Sequence, residues 1–229
     1  MFIPAFDQKT QDAFAVKKCA AIWASILGAV ILITLNVRHL FPSLFLAVHH
    51  VLFQVASIIT TTGYATVDFN QWPEFSKCIV LLLMFIGACA GSTGGGIKVS
   101  RIMMAFKEAK KEMAAVIHPR SVKVIKYEGK VLGHPVLRSL NAYLILYALI
   151  FAVSVLLVSL DNFDFATSFS AVAANFNNIG PGLSTVGPSS NFSMLSDLSK
   201  LVLIFDMLAG RLELFPILVL FSPGTWKKG

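Results

Sequence analysis

The 229-residue chain has too few charged residues for a typical soluble domain. Asp, Glu, Lys and Arg make up 14% of it and hydrophobic residues 56%, whereas soluble domains contain about 25% charged residues. The formal net charge of +7 is also found in nucleic-acid-binding proteins, but the basic residues flank apolar runs and nothing else supports such a partner. The composition therefore favours contact with membrane lipid and argues against nucleic acid.

Four apolar segments predict membrane-spanning helices. Three of them contain no Asp, Glu, Lys or Arg, namely residues 19–37, 78–97 and 139–160. Their length is about what is needed to cross ~30 Å of hydrocarbon. The fourth, residues 201–221, is equally apolar but includes Asp206, Arg211 and Glu213. We therefore expect an all-α, multi-pass membrane protein.

The basic residues predict the orientation of these spans. Residues 101–138 include nine Lys or Arg and three Glu, and both ends of the chain carry further lysines. The segments between them, residues 38–77 and 161–200, contain only three basic residues, Arg38, Lys77 and Lys200. By the positive-inside rule, both termini and residues 101–138 are cytoplasmic, and the two poorly charged segments lie outside a cell (inner) membrane.

The two outer segments repeat one another. Residues 40–67 are apolar and too long for a turn, yet another full span would place a basic segment outside. A re-entrant segment, in which a short helix enters the membrane and an extended strand leaves it, satisfies both conditions. When Gly63 is aligned with Gly180, Val55 falls on Val172. The chain thus predicts two units, each a span, a re-entrant pore loop and a second span.

These units divide the chain into residues 1–113, a cytoplasmic linker over residues 114–138, and residues 139–229. Within the first unit, a glycine-rich loop over residues 91–98 is expected to interrupt the inner part of a helix, because consecutive glycines disfavour helix. The loop residues of interest are Gly91, Ser92, Thr93, Gly94, Gly95, Gly96 and Lys98. A flexible gating loop explains them, and close helix packing through small residues is the alternative.

Each re-entrant loop ends in residues suited to hold a cation through backbone carbonyl groups. In the first filter segment, residues 60–64, the candidate binding residues are Thr61, Thr62, Gly63 and Tyr64. In the second filter segment, residues 177–182, they are Asn178, Ile179, Gly180 and Pro181. Glycine lets an ion approach the main chain, and carbonyl oxygens can replace the water shell of the ion.

The helices before these segments support a cation site. The first is expected to start at Pro42 and run to Ile59, and the second to cover residues 165–176 with Asp164 as its N-cap. Each would direct the negative end of its dipole at the segment that follows. A Thr/Gly-rich turn that merely ends a helix is the alternative for one loop, but two matched loops are hard to explain as unrelated turns.

Arg211 is expected at membrane depth, where a charge is costly and faces a cavity or a partner. It is either part of an intramembrane ion pair, with Arg211 and Glu213 bonded to neighbouring helices or their carbonyl groups, or it projects beneath the filter and tunes the passage of the ion. The sequence leaves both interpretations open.

Five stretches together resemble the Trk/Ktr/HKT superfamily of potassium transporters, most closely the TrkH type of membrane subunit. They are residues 60–64, 91–98, 117–120, 177–182 and 210–213. The resemblance implies four span–loop–span repeats around one pore, of which this chain holds the third and fourth. It also implies that residues 91–98 are the gating loop and that Arg211 faces the pore.

The resemblance implies potassium uptake across the cytoplasmic membrane, with potassium as substrate and no covalent cofactor. The implied partners are membrane lipid, an N-terminal half with two further repeats, a TrkA-like nucleotide-binding regulatory ring and a second copy of the full-length subunit. Residues 101–138 could contact the ring or lipid headgroups. A half filter is not expected to conduct alone.

Two other functions are considered. A non-conducting structural subunit or a truncated product would follow if the other repeats were never supplied. A membrane-embedded enzyme would need a nucleophile with a base, or paired acids, at one depth. His49 and His50 have no serine or carboxylate partner at a recognisable spacing, so we expect no enzymatic activity.

Overall fold

The computed structural model describes residues 8–87, 95–118, 124–127 and 130–212. The described chain is mostly helical and contains almost no strand, which confirms the expected all-α class. Its helices are α1 (Gln8–Val37), α2 (Leu44–Ile59), α3 (Glu74–Phe85), α4 (Val99–Ile117), α5 (His134–Val158), α6 (Phe165–Phe176) and α7 (Asp197–Leu212). Two described stretches are long and apolar enough to cross a membrane, Ile22–Leu40 and His134–Asp161.

The remaining regular elements are short. Single 3₁₀ turns cover Arg38–Leu40, Phe69–Gln71, Ser159–Asp161 and Ser184–Val186. Strands of two residues form two pairs, β1 (Ile86–Gly87) with β2 (Ile97–Lys98) in parallel and β3 (Lys126–Tyr127) with β4 (Lys130–Val131) antiparallel. The first pair matters for the site because it brings the chain back to the end of α3.

Helices α2 and α6 occupy equivalent places in the chain, α2 between α1 and α3 and α6 between α5 and α7. Helix α6 has the expected bounds, and the Thr167 N–H donates to Asp164 Oδ2 at 3.2 Å. Helix α2 begins at Leu44 rather than at Pro42, because Ser43 is extended and its hydroxyl accepts the Leu46 N–H. A serine cap is the stronger start signal, since it satisfies a helix N–H that would otherwise lack a partner.

The two units share one core. Buried residues of α2, including Val55 and Ile58, cluster with Ile33 of α1 and Val80 of α3. Ala173 of α6 belongs to the same cluster, as do Ala174, Ile179 and Leu183 from the second unit. In a membrane such contacts stabilise through close packing, because lipid tails are as apolar as the side chains. The units are therefore halves of one packed body.

The expected span over residues 78–97 breaks earlier than the glycine-rich loop over residues 91–98 predicts. Helix α3 ends at Phe85, and the chain pairs Ile86 with Ile97. A Cβ on Gly87 would lie 2.4 Å from the Gly95 carbonyl oxygen, so the pairing requires bare backbone at Gly87. Residues 91–94 of the expected gating loop lie outside the described residues. The expected unit boundary at residue 113 falls inside α4, which continues to Ile117.

Helix α7 crosses α6 at very close range. A Cβ on Gly210 would lie 1.8 Å from the carbonyl oxygen of Phe176, the last residue of α6. Close approach of this kind between membrane helices requires a small residue. Helix α7 is described to Leu212, so Glu213 and the rest of the expected fourth span lie outside the described residues.

We expect Gly210→Ala to lower the thermal unfolding midpoint of the detergent-solubilised protein. The added methyl meets a backbone oxygen that cannot rotate away, and such overpacking costs about 1–3 kcal/mol. Gly28→Ala is the matched control, because a Cβ there meets nothing within 4 Å and alanine is favoured over glycine within a helix. Equal midpoints for the two variants would contradict the packing described at Gly210.

Candidate functional site

The first filter segment folds back onto the end of α2 through four backbone hydrogen bonds. They run from Thr60 N to Ala56 O (3.0 Å), Thr61 N to Ile58 O (3.0 Å), Thr62 N to Ser57 O (2.8 Å) and Gly63 N to Ser57 O (3.4 Å). Consecutive N–H groups thereby satisfy helix carbonyls that have no partner within the helix. The segment is held by its own helix.

The second filter segment has the same set of bonds. They run from Asn177 N to Ala173 O (3.2 Å), Asn178 N to Asn175 O (3.0 Å), Ile179 N to Ala174 O (2.8 Å) and Gly180 N to Ala174 O (3.4 Å). Every donor and every acceptor is displaced by the interval that separates Gly63 from Gly180. The register that aligns these two glycines in the sequence also relates the two backbones.

The backbone dihedrals match as well. Thr61 and Asn178 have φ of 55° and 56°, and Gly63 and Gly180 have φ of 80° and 108°. Left-handed backbone is uncommon for residues other than glycine, although asparagine tolerates it. Two left-handed residues with one ordinary residue between them make a tight, unusual turn. Its appearance twice at equivalent positions favours a shared role.

These bonds determine where the carbonyl groups point. None of the described peptide bonds is cis, and in a trans peptide the C=O lies opposite the N–H of the next residue. Because the N–H groups point at the helix, the carbonyls before them point away from it, at Thr60 to Thr62 and Asn177 to Ile179. Within the described ranges, no group of three His, Cys, Asp or Glu could hold a metal ion. The candidate ligands for a cation at these segments are therefore backbone carbonyl oxygens.

The two filter segments touch at Gly63. A Cβ there would lie 2.0 Å from the Ile179 carbonyl oxygen and 3.3 Å from Pro181 Cδ. Gly63 is thus required both by its positive φ and by this contact between the units. Gly180 differs, because a Cβ on it would meet nothing within 4 Å in this chain.

Asn177 forms the base of the second filter segment. Its Nδ2 donates to Ala173 O at 2.8 Å, and its Oδ1 accepts the Tyr147 hydroxyl of α5 at 2.7 Å. Gly95 packs on the Asn177 backbone, where a Cβ would lie 2.3 Å from the carbonyl oxygen. The glycines of the expected gating loop that are described, Gly95 and Gly96, therefore lie directly against the filter segment, and Lys98 follows at the start of α4.

The other expected filter residues differ in their surroundings. The Tyr64 carbonyl accepts the Ser57 hydroxyl at 2.6 Å, so part of its accepting capacity is already in use. The Ile179 side chain is buried in the shared core. Asn178 Nδ2 donates to Met207 O of α7 at 3.1 Å. Thr62 is exposed.

Hydroxyl groups of α6 hold the chain that leaves the second filter segment. The Leu183 N–H donates to Ser170 Oγ at 2.8 Å, and Thr167 Oγ1 lies 3.0 Å from Thr185 Oγ1. Hydrogen bonds from the Thr167 hydroxyl and N–H lower the pKa of the Asp164 carboxyl at the N-terminal end of α6. An ionised Asp164 suits the positive end of that helix.

Arg211 and Asp206 are not equivalent in their environments. Arg211 is exposed in the last turn of α7, whereas Asp206 is buried and its Oδ1 accepts the Ser154 hydroxyl of α5 at 2.7 Å. Five residues along a helix place two side chains on different faces. The structure thus gives Asp206 a partner on α5 that the sequence did not suggest.

Gly63→Ala is expected to be more damaging than Gly180→Ala. Both substitutions strain a left-handed residue at a cost of about 1–3 kcal/mol. Only the first also drives a methyl into the Ile179 carbonyl. The difference should appear as a lower unfolding midpoint for Gly63→Ala. Identical midpoints would show that the two segments do not touch as described.

Comparison with known proteins places these features in a family. The family described as TrkH, cation transport protein, matches residues 22–228. The TrkH potassium uptake protein of Vibrio parahaemolyticus is 42% identical over 190 residues, and that of Escherichia coli K12 is 39% identical over 191 residues. Each match covers 83% of this chain and 39% of the relative.

A solved structure agrees with the sequence match. The crystal structure of the potassium transporter TrkH from Vibrio parahaemolyticus superimposes with a TM-score of 0.83 at 38% identity, over 92% of this chain and 45% of that one. This chain therefore spans less than half the length of the relatives it matches. From the extent of the family match, the chain belongs to the TrkH family of cation transport proteins.

Proposed function

We propose that this chain supplies two of the four quarters of a potassium-selective filter in a Trk-type uptake system. The observation that carries the proposal is the repeated hydrogen-bond pattern of the two filter segments. It turns the N–H groups toward α2 and α6 and leaves the carbonyls of Thr60 to Thr62 and Asn177 to Ile179 directed away from them. Such oxygens can replace the water shell of a potassium ion.

The family assignment makes the chain a transport protein and not an enzyme. Its curated relatives are named potassium uptake proteins, and the chain spans 39% of their length. Two filter segments do not encircle an ion. The proposal therefore includes two further repeats, supplied by the remainder of such a protein, in a multi-pass arrangement with both termini cytoplasmic.

The surroundings of the filter segments favour a cation through the partial charges of helix ends, not through a charged side chain. The C-terminal ends of α2 and α6 carry the negative ends of the helix dipoles, and each ends where a filter segment begins. This partial charge attracts a monovalent ion yet lets it leave, as conduction requires. Potassium is the proposed substrate, and no covalent cofactor is involved.

Regulation is proposed at the inner side of the filter. Gly95 and Gly96 lie against Asn177, so movement of the glycine-rich loop that contains them would act on the second filter segment. The basic segment that follows is proposed to face a TrkA-like nucleotide-binding ring or lipid headgroups. A homodimer of the full-length subunit completes the proposed assembly.

The filter assignment is tested by rubidium uptake in cells that lack potassium uptake systems. The chain is co-expressed with the remaining part of Vibrio parahaemolyticus TrkH, and Gly63→Asp and Gly180→Asp are compared with the parent. The Gly63→Asp side chain would collide with the Ile179 carbonyl, whereas the Gly180→Asp carboxylate would have room beside the filter segment. In both variants the negative charge would hold the cation and hinder its exit. We expect uptake to fall by at least about tenfold, which corresponds to 1.4 kcal/mol.

Asn191→Asp is the control for these variants. It introduces the same side chain at an exposed residue, and the aspartate keeps an oxygen that can accept the Ser193 N–H. Uptake should therefore equal that of the parent. Rescue by the Gly63→Asp and Gly180→Asp variants at the parental rate would show that these segments do not form the filter.

Arg211→Ala separates the two interpretations of that residue. If Arg211 acts on ions beneath the filter, the variant should reach the membrane at the parental level and change the rate of rubidium uptake. Lys200→Ala is the control, because it removes a cation that pairs with Asp197 at the other end of α7. Loss of the folded protein in Arg211→Ala alone would instead assign Arg211 a structural bonding role.

A further inference from the structure

We propose that Asn70, in the outer loop of the first unit, is a positioning residue that sets the ion selectivity of the second filter segment. The inference rests on the proposed function. It comes from an amide side chain that ties the two units together outside the filter. We call this contact the outer tie and define it by Asn70, Ser184 and Gly187.

The outer tie is a paired hydrogen bond between one side chain and one backbone residue. Asn70 Nδ2 donates to the Ser184 carbonyl at 2.8 Å, and the Ser184 N–H donates to Asn70 Oδ1 at 2.8 Å. The Asn70 amide thus bonds both the N–H and the C=O of the Ser184 backbone, as a residue of a neighbouring strand would. Two short bonds in one plane restrain orientation as well as distance.

The backbone conformation of Ser184 is unusual for a residue other than glycine. Its φ is 57°, a left-handed conformation that serine rarely adopts unless the surroundings hold it. The two bonds to Asn70 supply part of that restraint. Because Ser184 follows Gly180 by only four residues, a shift at Ser184 is passed to the filter segment over a short length of chain.

The chain between Gly180 and Ser184 has little freedom to absorb a shift. The Gly182 N–H donates to Val186 O at 2.7 Å, and the Leu183 N–H donates to Ser170 Oγ at 2.8 Å. A Cβ on Gly182 would lie 2.7 Å from the Val186 side chain. Movement of Ser184 would therefore displace Gly182 and Leu183, which connect it to the second filter segment.

Asn70 is itself held firmly by the first unit. It lies in the 3₁₀ turn Phe69–Gln71, and the adjacent Phe69 is fully buried in the shared core. The Asn70 N–H donates to Asp68 Oδ1 at 3.0 Å, while Asp68 Oδ2 accepts the Ser189 hydroxyl at 2.8 Å. Asn70 thus presents its amide from a fixed base.

Gly187 provides independent support. A Cβ there would lie 1.9 Å from Asn70 Nδ2. Its φ of −69° is one that any residue adopts, so the backbone does not require glycine. The Asn70 side chain is what excludes a larger residue at this position.

The outer tie is expected to affect selectivity more than conduction. Discrimination between potassium and sodium depends on where carbonyl oxygens are held and how rigidly. Asn70 bonds the chain outside the filter and leaves the carbonyls of Asn177 to Ile179 untouched. Loosening the tie should therefore admit sodium more readily while ions still pass.

The experiment measures inhibition of rubidium uptake by sodium in the co-expression system described above. The variants are Asn70→Ala, Asn70→Asp, Gly187→Ala and the double variant Asn70→Ala with Gly187→Ala. Loss of two neutral hydrogen bonds is expected to shift the sodium-to-rubidium preference by roughly fivefold for Asn70→Ala. Asn191→Ala is the matched control, because that amide bonds Ser193 only two residues away.

The aspartate variant separates hydrogen bonding from size. Asn70→Asp keeps the acceptor for the Ser184 N–H but places an oxygen where Nδ2 donates to the Ser184 carbonyl. Two acceptors facing each other repel, so its selectivity should be at least as poor as that of Asn70→Ala. Parental selectivity in Asn70→Asp would overturn the role assigned to the donor.

The double variant tests whether both residues act through one contact. Gly187→Ala should impair selectivity by displacing the Asn70 amide. Once Asn70 is alanine that clash is gone, so the double variant should be no worse than Asn70→Ala. Additive effects would overturn the outer tie, since independent sites add and coupled sites do not.

Three further outcomes decide against the proposal. One is parental selectivity in every variant. Another is a fall in rubidium uptake with unchanged inhibition by sodium, which a purely structural role would produce. The third is failure of both Asn70→Ala and Gly187→Ala to accumulate in the membrane. If the parent itself takes up no rubidium, the proposed function fails instead, and the two failures are thereby distinguished.

Discussion

The ends of α2 and α6 impose the constraint on which the filter region depends. A helix leaves its last carbonyls without partners inside the helix, and membrane interiors offer little water to satisfy them. Here the next residues fold back and donate to Ala56, Ser57 and Ile58, and to their equivalents Ala173, Ala174 and Asn175. These bonds satisfy the carbonyls at the helix ends, but the carbonyls of the filter segments then have no donor from the helix. An ion is a suitable partner for them.

Much of this arrangement is encoded locally and could be predicted. The alignment of Gly63 with Gly180 predicts the register that both backbones adopt, and Asp164 marks the start of α6. The places where prediction failed depend on distant contacts. Helix α3 ends at Phe85, before the glycine-rich stretch where the sequence predicts a break, because Ile86 and Gly87 pair with Ile97 and Lys98, eleven residues later. Asn70 likewise has no distinguishing pattern, since its partner Ser184 is 114 residues away.

The two units use different means to hold equivalent segments. In the first unit, Ser57 of α2 bonds the Tyr64 carbonyl, and His50 Nδ1 lies 3.0 Å from Thr66 Oγ1. In the second, the position of Ser57 is occupied by Ala174, and support comes from Tyr147 on α5 and from Asn70 in the other unit. Shared backbone geometry with unshared side chains explains why sequence identity between the repeats is low. The shared feature is the pattern of backbone hydrogen bonds, so the side chains behind the two segments can differ.

The contact at Gly63 has a direction. The glycine of one segment abuts the carbonyl that precedes the glycine of the next, and Gly180 has an open flank of the same kind. This is a head-to-tail contact, in which the two contacting surfaces are different parts of the repeat. Contacts of that type end only when a ring closes. The direction of the Gly63 contact therefore indicates on which sides of this chain further repeats would be placed, one beside the open flank of Gly180 and one at the opposite end.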